Sequence, residues 1–468
     1  MPLVLASVAS AFGCQLLYDK NDLTIATGGA GGATTTTQGG GGAGAATSTG
    51  STSMGGGGAT TTSMGGGGTT TSSAEGGGGA GGMTTSMGGG GTGGTSSAGG
   101  GGTGGTTTST TTTTTTTMDC STERLFVLGT SPTSVLCAAS DSTGSTWTST
   151  TSATAFSNAR PAAGLLDAQT GVGVFYQEAG ATMKGPLRAV ELVNGTCGAP
   201  ANVLTVVTKA APGVALLGGK VQALFQGAEG AGSDHPFSTA WSPASWSTPD
   251  DIDMNVFSPA PAAIATSGAE MLAVYGGGDD NLYRVRYAAG AWQPPAVSFK
   301  NAAMSSEQAN KTLTPAAAGL DAGGWLVVFQ DKAAPGTQLR WLRGDAAANM
   351  ESKVLATALS PSPVALAGTP GGAVLAYRGT DNKVYASVYA SAGDAWSPIV
   401  EIPGATTTSS PAVANGVCTH DAELVYTDAG GVVRHSFLEA GTWSMPVAVD
   451  AAATGMTGVA IAATPRAR

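Results

Sequence analysis

One pattern of hydrophobic and polar positions recurs along the chain downstream of Cys120. In each repeat an apolar run of five or six residues ends in an aromatic residue, and a Gly/Asp turn and an alternating segment follow. Successive closing aromatics lie 49, 50, 54, 48 and 49 residues apart; they are Tyr176, Phe225, Tyr275, Phe329, Tyr377 and Tyr426. Apolar runs this short, bounded by Gly, Asp and Pro, predict β-strands rather than helices.

The rest of each repeat completes a small sheet. The alternating segments include NLYRVRY at 281–287 and KVYASVY at 383–389, and a short segment with a Trp follows at Trp292, Trp396 and Trp443. Four strands in nearly 50 residues, repeated along the chain, are typical of the blades of a β-propeller. A Trp at the same place in several repeats is expected to pack between blades.

The two ends of the repeat region predict how the ring closes. One repeat length before Tyr176 lies Val127, in an apolar run that is typical of a second strand but has no first strand before it. The C-terminal segment 458–464 matches the start of a repeat, so we expect it to complete the first blade and hide its edge. The fold is then an all-β propeller of seven four-stranded blades. Six blades are the alternative, if the irregular repeat from Pro212 to Pro259 is an insertion.

Residues 27–118 differ sharply in composition from the repeats. They are almost entirely Gly, Thr, Ser and Ala, with Met at intervals, and Glu75 is their only charged residue. Such a segment buries too little apolar surface to offset its ordering entropy, so it is predicted to be a disordered tether. The predicted organisation is a signal segment at 1–14, a short segment at 15–26, the linker at 27–118 and the propeller at 119–468.

The N-terminus carries a short apolar stretch from Pro2 to Phe12, followed by Gly13 and Cys14. This resembles the signal of bacterial lipoproteins, in which a small residue precedes the cysteine that receives the lipid. The resemblance implies an exported protein, lipidated on Cys14, at the outer membrane or cell surface of a Gram-negative bacterium, on its periplasmic or extracellular side. The alternative is a buried N-terminal strand with an incidental cysteine. No apolar run reaches about 18 residues, so a lipid would be the only membrane attachment.

The cysteine count also favours export. If Cys14 carries a lipid, four cysteines remain, an even set that two disulfides would use in an oxidising compartment. Of the three possible connectivities, we expect Cys120 to pair with Cys418 across the seam of the ring and Cys137 to pair with Cys197 between the first two blades. The sequence has no CxxC or Cys/His spacing that would predict a zinc site.

Charge and side-chain chemistry narrow the classes of function. The net charge is -10 and only 11% of residues are charged, so no basic surface is expected for nucleic acid. The three histidines have no partner at a spacing that indicates a catalytic triad. The acidic group Asp250, Asp251 and Asp253 is only a weak candidate for calcium, because it lacks the alternating pattern of a calcium loop. No cofactor is otherwise expected.

The segments 377–389 and 279–292, each with a Trp and a Pro at or just after its end, resemble blades of the fucose-binding propeller lectins. Those lectins hold sugars between blades with an arginine, an acidic residue and an aromatic platform. The resemblance implies a ligand-binding set of Arg378, Asp381 and Trp396. The other repeats carry Gln, Gly or Thr in place of Arg378, so it implies one sugar site rather than several.

A second resemblance, carried by SDSTGSTW at 140–147, is to the Asp-box turn of sialidase-type propellers. Hydrolysis in that family needs an arginine cluster, a Tyr nucleophile with a Glu partner, and an acid. The chain has only 20 Lys and Arg residues, and its sequence shows no such cluster. We therefore expect a monomeric, non-enzymatic recognition module that binds glycans or surface proteins. A degenerate sialidase-like hydrolase and a structural envelope protein are the alternatives.

Overall fold

Seven small antiparallel sheets make up the part of the chain that the structure, a computed structural model, describes. The predicted signal segment, Cys14 and the Gly/Thr/Ser-rich linker lie outside the described residues. The regular secondary structure of that described part consists of strands. It contains no helix that is long and apolar enough to cross a membrane. The described residues are 120–153, 161–176, 184–228, 234–253, 255, 257–301, 303–333, 336–344 and 352–465.

The sheets are the blades of a β-propeller, and we number them 1 to 7 in the order of their second strands. Blade 1 contains β1 (Leu125–Thr130), β2 (Ser134–Ser140), β3 (Trp147–Ala153) and β32 (Gly458–Ala463); blade 2 contains β4 (Ala162–Leu165), β5 (Thr170–Tyr176), β6 (Gly185–Val193), β7 (Thr196–Cys197) and β8 (Ala201–Thr208); blade 3 contains β9 (Gly213–Leu217), β10 (Lys220–Gln226), β11 (Pro236–Ser242), β12 (Ser245–Trp246) and β13 (Asp250–Asp251).

The other four blades repeat the arrangement. Blade 4 contains β14 (Ala263–Ser267), β15 (Glu270–Gly276), β16 (Leu282–Ala288) and β17 (Ala291–Ser298); blade 5 contains β18 (Ala316–Gly319), β19 (Trp325–Gln330), β20 (Gln338–Gly344) and β21 (Lys353–Leu359); blade 6 contains β22 (Ala365–Thr369), β23 (Gly372–Arg378), β24 (Lys383–Ala390), β25 (Ala395–Trp396) and β26 (Val400–Thr406); blade 7 contains β27 (Ala412–Asn415), β28 (Ala422–Thr427), β29 (Val433–Glu439), β30 (Thr442–Trp443) and β31 (Val447–Ala448).

The C-terminal strand β32 closes the ring. It pairs antiparallel with β1, with Val127 opposite Ile461, and becomes the innermost strand of blade 1. It also contacts β4 of blade 2 and β27 of blade 7, so the seven innermost strands form an unbroken circle. The predicted seven-bladed ring and its closure by the C-terminal strand are confirmed. The irregular repeat from Pro212 to Pro259 forms blade 3, which removes the six-bladed alternative.

The second strand of each blade is buried on both sides, which explains why its apolar residues are consecutive rather than alternating. In β19, for example, all six residues are buried. Seven hydrophobic clusters fill the spaces between neighbouring blades, one for each interface. The recurring tryptophans also pack there, as predicted: Trp292, Trp396 and Trp443 each join the cluster shared with the preceding blade.

The innermost strands carry small side chains because they approach one another around the axis. A Cβ atom on Gly319 would overlap the carbonyl of Thr266 in blade 4, and one on Gly368 would overlap the carbonyl of Gly319 in blade 5. Glycine therefore permits backbone contact between three consecutive blades. None of these seven described strands contains a charged residue.

Removing β32 should unfold the propeller. Deletion of residues 459–468 takes away the buried side chains of Val459 and Ile461, which contribute about 3–6 kcal/mol, out of a total stability of about 5–15 kcal/mol for a typical domain. It also leaves β1 without one of its two partners. We expect loss of the cooperative thermal transition in circular dichroism, whereas deletion of residues 466–468 should leave it in place. An unchanged transition in the longer deletion would contradict closure by β32.

Candidate functional site

The propeller has two unlike ends. At the loop face lie the connections between second and third strands and between successive blades. At the hairpin face lie the turns that join the first strand to the second and the third to the fourth. The longest connection, residues 299–315 between blades 4 and 5, lies on the loop face, whereas the turn between β9 and β10 on the hairpin face needs only Gly218 and Gly219. Long loops on a rigid scaffold are where binding residues concentrate.

A pocket of about 520 Å³ opens on the loop face between blades 4 and 5. Asn281, Asn301 and residues 305–308 line it from the connection side of blade 4, and Asp331 and Arg340 line it from blade 5. All eight lining residues are polar. We call this cavity the interblade pocket.

Arg340 is held rigidly in the wall of the interblade pocket. Its Nη1 donates to Asp331 Oδ2 at 3.1 Å, its Nε donates to Ser352 Oγ at 2.8 Å, and its Nη2 donates to the Ser352 carbonyl at 3.2 Å. The pairing of β20 with β21 slips directly beside Arg340, between Gln338 and Arg340. Such a bulge re-aims nearby side chains, and here Arg340 faces the pocket.

Ser352 connects Arg340 to a buried carboxylate. Glu307 is only 7% exposed, and its two oxygens accept hydrogen bonds from the Ser352 N–H at 3.0 Å and from the Ser352 hydroxyl at 2.7 Å. A buried carboxylate needs hydrogen bonds to replace those it made to water, and Ser352 supplies two of them. The base of the pocket is therefore a fixed polar network rather than a mobile surface.

The connection that covers the interblade pocket is shaped by its own side chains. The Asn301 side-chain oxygen accepts hydrogen bonds from the N–H groups of Ala303 and Ser305, both at 3.0 Å. Lys300 Nζ donates to Ser306 Oγ at 2.8 Å. These contacts shape the described residues 300, 301 and 303–306, and the side chains of Ser305 and Gln308 are exposed at the pocket.

Asp331, which lines the interblade pocket, belongs to a type of turn that recurs in four blades. After the second strand of each, an Asp carboxylate accepts a hydrogen bond from a side chain of the third strand. The pairs are Asp279–Tyr283, Asp331–Arg340, Asp381–Tyr385 and Asp428–Arg434. In blade 5 this turn borders the interblade pocket, and in blade 7 it borders a smaller one of about 340 Å³.

The structure brings together two of the three ligand-binding residues predicted from the sequence. Arg378 and Asp381 lie on the loop face of blade 6, and Tyr385 donates a hydrogen bond that holds the pKa of Asp381 below its ordinary value. Trp396 lies on the hairpin face, because it pairs with Tyr389 while Arg378 pairs with Val384. Five residues of extended strand place Trp396 about 17 Å from the end that carries Arg378.

Arg378 also makes a contact that glutamine makes at the same position in two other blades. Its Nη1 donates to the Thr408 carbonyl, in the connection that leads into blade 7. Gln330 in blade 5 makes the equivalent bond to the Ser362 carbonyl at 2.7 Å, and Gln226 in blade 3 makes it to Ser258. In blades 3, 5 and 6 the residue at this position therefore donates a hydrogen bond to the connection that enters the next blade.

The interblade pocket was not predicted from the sequence, although one signal pointed to its place. The closing aromatics of blades 4 and 5 are 54 residues apart, against 48 to 50 elsewhere. The extra residues form the connection that carries Asn301 and Glu307. No pattern in the sequence, however, links Glu307 or Arg340 to a common site.

Two of the three aspartates considered for calcium have side-chain contacts to other partners. Asp253 accepts the Asn255 N–H at 2.8 Å and the Ala296 N–H at 2.7 Å, and the Asp251 carboxylate lies 3.7 Å from His235 Nδ1. Asp250 lies in β13, paired with Ser238. In the described ranges, no group of three or more His, Cys, Asp or Glu side chains is arranged to hold a metal ion.

A buried cluster of His420, Glu423 and His435 lies at the seam between blades 7 and 1. Glu423 is fully buried and accepts hydrogen bonds from His420 Nδ1 at 2.7 Å and His435 Nε2 at 2.8 Å. Burial alone would raise the pKa of Glu423, but the two imidazoles outweigh it and hold this pKa below its ordinary value. His435 also meets the ring of Trp147 from blade 1 edge-on, at 5.2 Å between centroids.

Both predicted disulfides are present. Cys120, just before β1, bonds to Cys418 in the turn between β27 and β28, and so links the start of the propeller to blade 7. Cys137 in β2 bonds to Cys197 in β7, and so joins blades 1 and 2. The two bonds flank blade 1, the blade built from both ends of the domain.

Comparison with known proteins finds likeness in structure rather than in sequence. No family model matches the chain, and no curated protein matches it. Its structure is similar to that of the BP39L lectin from Burkholderia pseudomallei, with a TM-score of 0.57 and 17% identity over 70% of this chain and 95% of that one. The chain shares its fold with that protein.

Two further structures are less similar. AofleA from Arthrobotrys oligospora matches with a TM-score of 0.44 and 11% identity, covering 66% of this chain and 91% of that one. The fucose-specific lectin from Aleuria aurantia matches with a TM-score of 0.43 and 12% identity, covering 64% of this chain and 96% of that one.

Replacing Glu423 should destabilise the seam in a pH-dependent way. Because the folded-state pKa of Glu423 is lowered, its contribution is fully present above its ordinary value of 4.5 and is lost as the pH falls through the folded-state pKa. We expect Glu423→Gln to lower the free energy of unfolding by about 3 kcal/mol at pH 7. Urea denaturation at several pH values should show this difference shrinking below pH 4.5.

Glu439→Gln is the matched control, since the Glu439 carboxylate is exposed and accepts only the Thr419 hydroxyl, at 2.6 Å, among the described contacts. It should change stability by less than about 0.5 kcal/mol. A difference for Glu423→Gln that stays constant from pH 7 to pH 3 would show that Glu423 is not ionised in the folded protein.

Proposed function

We propose that the propeller is a carbohydrate-binding recognition module whose ligand occupies the interblade pocket. The observation that carries this proposal is the lining of that pocket: its volume of about 520 Å³ lies in the range of small-molecule sites, and every lining side chain is polar. Sugar hydroxyls both donate and accept hydrogen bonds, and amides, hydroxyls, carboxylates and a guanidinium offer both. The fold shared with the BP39L lectin supports the same function.

The ligand would meet two kinds of side chain in the interblade pocket. Ser305 and Gln308 are exposed and free to adapt, whereas Asp331 and Arg340 are held by the network around Ser352. The fixed pair would orient a sugar ring, because its hydrogen-bonding atoms are already in place before binding. The exposed pair would contribute contacts that vary with the ligand.

We further propose that the propeller works as a monomer displayed at a bacterial surface. A lipid on Cys14 would anchor the chain, and residues 27–118 would serve as the spacer between anchor and propeller. The two disulfides suit an exported domain, because such bonds persist in oxidising compartments. Glycans are the partners that the interblade pocket favours, and surface proteins are the other class of partner for a displayed module.

Arg378 and Asp381 remain predicted ligand-binding residues on the loop face of blade 6. A sugar bound there would contact both of them but would not reach Trp396 at the opposite end of the blade. The two positions, blade 5 and blade 6, are separable by experiment because each has its own turn aspartate.

Asp331→Asn should weaken glycan binding by at least tenfold. The amide keeps the shape of the carboxylate but removes its charge, which frees Arg340 and changes the pattern of acceptors in the pocket; a charged hydrogen bond contributes about 1.5–3 kcal/mol. The measurement is a glycan array with the full chain, followed by calorimetry on the glycans that bind. Gln308→Ala tests the same pocket through an exposed residue, whose loss should leave folding intact.

Asp167→Asn is the matched control, since Asp167 is a turn aspartate on the hairpin face of blade 2. It should bind as the unmodified chain does. If Asp381→Asn abolishes binding while Asp331→Asn does not, the ligand lies at blade 6 as the sequence predicted. If no glycan binds the folded, unmodified chain, the proposed function is wrong.

A further inference from the structure

We propose that the interblade pocket selects neutral, fully hydroxylated hexoses over 6-deoxy sugars and over sugar acids. This inference rests on the proposed function and concerns the class of sugar that the pocket takes. Its basis is what the pocket lacks as well as what it contains: among the eight described lining residues there is no aromatic and no aliphatic side chain.

Three aromatic residues that neighbour the lining residues in the sequence are occupied elsewhere. Phe299 is 3% exposed, and the Arg284 guanidinium lies over its face, 5.2 Å from the ring centroid. Phe329 and Trp341 belong to the hydrophobic clusters on the two sides of blade 5. None of these rings offers a face on which the apolar side of a sugar would stack.

A 6-deoxy sugar would therefore gain little in this pocket. Its methyl group would lie among amides, hydroxyls and carboxylates, where it displaces water from polar groups and gives no apolar contact in return. The hydroxyl of the matching hexose would instead form hydrogen bonds with that lining. One such bond contributes about 0.5–1.5 kcal/mol net, which corresponds to a preference of up to about tenfold.

Sugar acids are disfavoured because the one guanidinium among the eight described lining residues is already paired with a carboxylate. Arg340 pairs with Asp331, and Lys300, next to the lining, donates its Nζ to Ser306 Oγ at 2.8 Å. Glu307 adds a second carboxylate that is buried under the pocket. A ligand carboxylate would meet two fixed anions and no unpaired guanidinium, so it would lose hydration without a matching partner.

The test compares matched sugars on the full chain by titration calorimetry. L-galactose and L-fucose differ only in the hydroxyl on carbon 6, as do D-galactose and D-fucose; D-glucose and D-glucuronic acid differ only in the oxidation of that carbon. We expect at least one hexose to bind three- to tenfold more tightly than its 6-deoxy partner, and D-glucuronic acid to bind more weakly than D-glucose. Gln308→Leu adds an apolar wall at an exposed position and should shrink the preference for the hexose.

The outcomes separate the two proposals. Tighter binding of a 6-deoxy sugar or of D-glucuronic acid, lost in Asp331→Asn, would overturn this inference and leave carbohydrate binding at the interblade pocket in place. Absence of binding by all the probes and by a glycan array would overturn both. A hexose preference that Gln308→Leu leaves unchanged would overturn the assignment of that preference to the pocket lining.

Discussion

The burial of both sides of every second strand is the constraint on which the rest of the propeller depends. A strand such as β19, with all six residues buried, has no solvent side, so each blade needs a neighbour on both flanks. Seven interblade clusters meet that need only if the ring is complete. The strand β32 completes it, by bringing the end of the chain back to β1.

Because the strands are constrained in this way, sequence and length vary mainly in the connections of the loop face. The interblade pocket shows how such a variation produces a candidate site. A turn aspartate bonded to the third strand recurs in four blades, and in two of them its partner is a tyrosine. In blade 5 the partner is Arg340, beside a bulge, and the same network includes Glu307 from the longest connection in the propeller and Ser352 from just before β21. A structural element thereby becomes part of a candidate site.

Local patterns in the sequence were sufficient to predict the fold but not to predict the interblade pocket. The spacing of the closing aromatics and the match at 458–464 depend on each repeat alone, so the blades, their number and their closure could be predicted. The interblade pocket depends on a slip in pairing beside Arg340, which leaves no periodic signal, and on a loop between blades, which shows only as the longer spacing before Phe329. Trp396 resembled a sugar platform by type, but strand direction places it at the other end of blade 6. His420 and His435 meet at Glu423 only because β28 and β29 pair.

The bond between Cys120 and Cys418 has a mechanical consequence. Any pull on the polypeptide from its N-terminal side reaches Cys120 before it reaches β1, and the covalent link passes that tension to the turn between β27 and β28. The ladder between β1 and β32, which pairs the two ends of the domain, would otherwise be exposed to that tension first. With the bond in place, force enters blade 7 and bypasses the closure of the ring.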